Sequence, residues 1–147
     1  MFGKIQLKQI NIIWMLLILL IILVNVFHAL AEYLTYLIVS GGYGIELNPL
    51  VANMINIQHN YILAFVLTTG IIEARILLIF GVFWVFYYVF RIISKSYNFN
   101  QTTYNTIRTY SLAAFFTFAF IYLILLVIST FTDFYGDYHF LFLYGGI

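Results

Sequence analysis

Long runs of apolar residues, broken at two places by short polar stretches, dominate the pattern along the chain. A helix needs about 20 apolar residues to cross the hydrocarbon of a bilayer. Three segments meet that length, at about 10–39, 61–93 and 107–130, and none contains proline. The pattern therefore predicts an all-α membrane protein with three transmembrane helices in one domain covering 1–147. At 1.5 Å per residue the first two segments make roughly 45 Å of helix against a hydrocarbon core of about 30 Å. They are overlong, and the excess has to tilt or protrude.

The charges give the excess a direction. Lys4 and Lys8 precede the first span, Arg91 and Lys95 end the second, and Arg108 opens the third. Three crossings put these five residues on one side, which the positive-inside rule makes cytoplasmic. The expected topology has the N-terminus in the cytoplasm and the C-terminus outside. Measured inward from the basic anchors, about 20 residues reach only to His28–Glu32 and to Glu73. The first two helices should thus project outward, covered by an external cap at 41–60. Within that cap, Asn48-Pro49 reads as a helix start, Asn48 as N-cap and Pro49 in the first turn. A short interfacial helix should follow. Gly41, Gly42 and Gly44 fit a turn that stops the first helix. The remainder, 131–147, reads as an aromatic tail that folds back at the outer interface or docks on a partner, with a cation site at Asp133, Asp137 and His139 as the lesser reading.

Residues 1–31 also carry the marks of a secretory signal: a basic start, an apolar run and Ala29-Leu30-Ala31 before Glu32. The helical pattern continues past that site through Leu34 and Leu37 with no breaker, so an uncleaved signal-anchor is the expected reading.

Composition narrows the classes. Of 147 residues, 65% are hydrophobic and 7% charged, against about 25% charged in a soluble domain. So few charges could not cover a soluble surface. A net charge of +1 without a basic tail gives no footprint for nucleic acid. Absence of cysteine removes disulfides, thiolate metal sites and a thiol nucleophile.

Ionisable residues inside membrane segments are costly and therefore candidates for function. Asn25, His28, Glu32 and Thr35 fall within an arc of about 80° on the first helix. On the second, Glu73 and Arg75 lie about 200° apart and need separate partners. The economical arrangement sets Arg75 against Glu32, with Glu73 toward His28, His59, Glu46 or a neighbouring subunit. His28, Glu32, Glu46, Glu73 and Arg75 are thus the candidate polar cluster. Its simplest role is to fix the packing of two helices. Its sharper one is a metal or proton site made from His28, Glu32, Glu46 and Glu73, and a third is contact with a partner chain. The spacing of His28 and Glu32 lacks the second histidine of a helical zinc motif. A haem held between two histidines is not expected either, because His28 is the one histidine placed within a span.

The segment 25–75 resembles a family of uncharacterised small archaeal and bacterial membrane proteins. The likeness rests on Gly44-Ile45-Glu46-Leu47-Asn48-Pro49, which matches the Glu-x-Asn-Pro part of that family's Gly-x-x-Glu-x-Asn-Pro pattern with the glycine one residue nearer, and on Arg75 at its basic position. His28 and Glu32 stand where the family has Asp and Thr. The resemblance implies a few-helix membrane fold and no activity.

The expected function is a small non-catalytic integral membrane protein, an accessory or structural subunit of a larger assembly such as a respiratory complex or an enveloped particle. Its partners would be the bilayer and other membrane subunits, or copies of itself, with no cofactor. Two other readings compete. One is an enzyme or transporter using the outer polar cluster or a metal there. The other is a lipid-binding protein with Arg75 addressing an anionic headgroup.

Overall fold

The computed structural model describes the main chain of residues 2–97 and 99–144 and the side chains of 12–97 and 99–144. The described residues form four helices and no strand: α1 (Phe2–Ser40), α2 (Ala52–Asn56), α3 (Tyr61–Ser96) and α4 (Gln101–Tyr144). Helices α1, α3 and α4 are each long and apolar enough to cross a membrane. They have 39, 36 and 44 residues, which is roughly 58, 54 and 66 Å of helix.

Local chemistry sets most of the ends. α1 closes in a Schellman motif: Gly42 takes φ +73°, Tyr43 N donates to Ile38 O at 2.9 Å and Gly42 N to Val39 O at 3.1 Å. Only glycine reaches that φ without strain. Gly44 follows, where an added Cβ would stand 3.0 Å from Ile38 and 3.7 Å from Phe140. The chain thus passes closely between the top of α1 and the top of α4. Asn60 caps α3 by accepting from Leu63 N at 3.1 Å, and Asn100 caps α4 by accepting from Thr103 N at 2.7 Å.

Two expectations change here. Helix α2 starts at Ala52 with Val51 in the N-cap position, and no side chain caps it. Asn48 and Pro49 instead form the turn before it. Asn48 O accepts from Val51 N and Ala52 N, and Asn48 Oδ1 accepts from Leu50 N at 3.1 Å. The second change is larger. Residues 131–144 are no folded-back tail but the continuation of α4; 145–147 lie outside the described residues.

α1 and α4 form the main pairing and run parallel, about 102 residues apart in sequence. Trp14 meets Phe116, Phe27 meets Phe131, and Thr35 meets Asp137. α3 runs antiparallel to both, with His28 over Phe65, Tyr36 against Tyr61, and Phe90 against Tyr104. The apolar core is buried Leu17 of α1, Ile76 and Ile79 of α3, and Phe115, Ala119 and Leu123 of α4. A second small cluster of Val51, Ile55 and Ala64 seats α2 on the start of α3. One end of the bundle therefore carries the α1–α3 connection and the end of α4. The other carries the α3–α4 turn with Arg91, Lys95 and Arg108.

Candidate functional site

The polar residues gather at the capped end, where three helices contribute them. On α1 the inward positions continue the core stripe of Leu17 and Val24 with His28, Ala31 and Ile38. This periodicity carries His28 inward, where only 8% of it is exposed. Its ring stacks on Phe65 at 6.0 Å, and Nδ1 lies 3.9 Å from Glu32 Oε1 one turn on. Nε2 is buried with no protein partner, as is Thr69 Oγ1. Thr68, also buried, donates to the carbonyls of Ala64 and Phe65, both at 3.1 Å, and its hydroxyl stands within reach of the Glu32 carboxylate.

From α4 come two residues that the sequence left in the tail. Thr35 Oγ1 donates to Asp137 Oδ2 at 2.9 Å. Asp133, one turn earlier, lies within charge–charge range of His28. Glu32 in turn feels Glu46, Asp137 and Asp133. Two carboxylates, Glu32 and Asp133, therefore face the His28 imidazole, and Glu46 and Asp137 lie within range of Glu32. The Glu46 side chain accepts from Asn48 N at 2.6 Å, so it belongs to the cap as well.

The structure thus brings together His28, Glu32 and Glu46 of the candidate cluster and leaves out Glu73 and Arg75. Glu32 lies level with the stretch of α3 between Tyr61 and Phe65. Arg75 is some twelve residues further along α3, about 18 Å away. The expected Glu32–Arg75 pair is absent, and among the described residues the one ion pair is His28–Glu32. The reason is that the compact cap fixes how α1 and α3 lie against each other. Counting inward from the basic anchors placed α3 too high. Arg75 is exposed at the mouth of a cleft between α3 and α4, and Glu73 is half-buried elsewhere on α3. Asn48 and Pro49 flank the cluster through Glu46. His59 stands in the connection before α3, in the left-handed region at φ 51°.

Among the described residues no three His, Asp or Glu side chains converge so as to ligate one ion, and no Ser or Thr hydroxyl is bonded to a histidine. What the arrangement offers chemically is a polar layer that joins α1 to α4 and to α3 beneath the cap. The α1–α4 contact is its most direct bond. Thr35→Val should weaken that pairing by about 1 kcal/mol, and should cost little more in an Asp137→Ala background. A double-mutant cycle on unfolding in denaturing detergent measures the coupling; simply additive losses would contradict it.

No family model matches the chain, nor does any curated protein or solved structure.

Proposed function

We propose that this chain is a small non-catalytic integral membrane protein, an accessory or structural subunit of a larger membrane assembly, and that its partner docks on the capped end. The supporting observation is apolar surface that the bilayer does not reach. With Lys4, Lys8, Arg91, Lys95 and Arg108 on the cytoplasmic side, about 20 residues of α4 beyond Arg108 cross the hydrocarbon. The rest, to Tyr144, projects outward by roughly 24 Å. Headgroups account for only about 5–8 Å of that.

At this outer end Leu47 is 79% exposed and Ile57 75%, and Ile45, Leu50, Phe142 and Leu143 are exposed beside them. Large apolar side chains in water mark a protein interface. The buried polar layer beneath is, on this reading, structural: it fixes how the helices meet and holds the cap in place.

The test is isolation from native membranes in mild detergent. The wild-type chain should bring a partner at fixed stoichiometry. A variant with Leu47→Glu and Ile57→Glu should insert normally and lose it. Wild-type protein recovered as a lone monodisperse species would refute the proposal.

A further inference from the structure

We infer that the cleft between α3 and α4 binds a long-chain fatty acid, with its carboxylate on Arg75. The cleft has a volume of about 680 Å³. Apart from Arg75 it is lined mainly by apolar side chains, among them Phe83, Phe86, Phe90, Phe115 and Phe118. From Arg75 to Phe90 it follows fifteen residues of α3, roughly 22 Å. An α-helix of that length and about 10 Å across occupies roughly 1,700 Å³ and does not enter. One extended hydrocarbon chain does, and a lipid with two acyl chains would leave its second chain in the bilayer.

The charge selects the head. Arg75 has no anionic partner among the described residues, and Glu73 lies about 200° around the same helix. An uncompensated guanidinium facing acyl chains is unfavourable. A carboxylate meets it with two parallel hydrogen bonds, and the phosphatidylglycerol competition below separates it from a phosphate head. Depth agrees with this direction. Arg75 lies about 24 Å along α3 from Arg91. Tyr122, which shares the cleft with Arg75, lies about 21 Å along α4 from Arg108, so both sit past the middle of the bilayer toward the capped end. A fatty acid of the leaflet on that side would enter head outward, its chain running down the phenylalanine wall. The cleft is separate from the apolar surface at the capped end, so it can be tested on the isolated chain.

Native mass spectrometry of the purified full chain in nonionic detergent, with oleic acid or its methyl ester added, decides the matter. One oleate per chain is expected, with the methyl ester bound about tenfold more weakly or worse. Arg75→Gln should abolish that preference by lowering oleate binding while leaving the ester unchanged. Arg75→Lys should keep part of it. Ala114→Phe, which fills the cleft, should exclude both ligands. The comparison of acid with ester needs no variant and holds even if a substitution impairs folding. Equal binding of acid and ester, an Arg75→Gln protein that still prefers oleate, or displacement of oleate one for one by phosphatidylglycerol would overturn the assignment. Loss of a protein partner at the capped end would not alter any of these readings.

Discussion

Phe115→Ala should loosen α3 from the bundle while leaving the α1–α4 pair intact. Phe115 is buried and stacks on Phe83 at 3.7 Å between ring centroids, and it meets Phe80 edge-on at 5.7 Å. α3 has few other such holds, its buried apolar side chains being Ala64, Ile76 and Ile79. In lipid the surrounding tails are as apolar as the core, so helices are held by close packing and ring geometry rather than by escape from water. Truncating a buried Phe costs about 3–5 kcal/mol in water-soluble cores. Here acyl chains can fill part of the gap, and about 2 kcal/mol is expected.

The absence of cysteine makes the measurement direct. Cysteines introduced in place of Phe90 and Tyr104, whose rings lie 5.7 Å apart, report α3 against α4. A pair replacing Phe27 and Phe131, 5.2 Å apart, reports α1 against α4. Cross-linking by a short thiol reagent should fall sharply at the first pair and stay constant at the second. An equal fall at both would mean that Phe115 holds the whole bundle rather than one helix.

Hydropathy alone located three spans, because an apolar run of that length has few other uses. It also located the stop of α1, since Gly42 supplies the φ that a Schellman turn demands. The end of α4 was misread. Asp133, Gly136 and Asp137 interrupt the hydropathy there and look like the close of a span. The signal that could have corrected this is periodic: Thr130, Phe134, Asp137 and Leu141 recur at helical spacing. Of these, Thr130 and Leu141 are buried, Phe134 packs against Phe27 and Asp137 accepts from Thr35. The parallel pairing of α1 with α4 has no local signature at all. Helices in lipid are apolar on most faces, so composition does not say which face meets which neighbour.

The same gap explains the candidate site. Of the polar stripe on α1, His28, Glu32 and Thr35 share a face turned toward protein, while Asn25 Nδ2 donates to Ile21 O of its own helix. Asp133 and Asp137 were assigned to a tail, so their place beside that face was missed. Arg75 was matched to Glu32 by an estimate of depth, and twelve residues of displacement along α3 undo the match.

Asn56→Ala should unfasten the cap without disturbing the helices below it. The stretch between α1 and α2 has no regular structure, yet the main chain at Glu46 is satisfied on both sides by one side chain. Glu46 N donates to Asn56 Oδ1 at 2.9 Å, and Asn56 Nδ2 donates to Glu46 O at 2.8 Å. Alanine removes both bonds together. At about 1 kcal/mol each, the local loss is about 2 kcal/mol. That predicts roughly thirtyfold faster hydrogen exchange at the Glu46 amide. Exchange within α1, α3 and α4 should not change. α2 should stay seated, because Val51, Ile55 and Ala64 hold it independently. Asn56→Asp should fail almost as badly, since it keeps the acceptor for Glu46 N but turns a carboxylate oxygen toward Glu46 O. Leu47 sits on the segment these bonds position. If the capped end is the docking surface, partner recovery should therefore drop in both variants even though the membrane helices remain folded. Unchanged exchange at Glu46 would show that the Asn56 amide does not hold the cap, and normal partner recovery with a loosened cap would move the docking surface elsewhere.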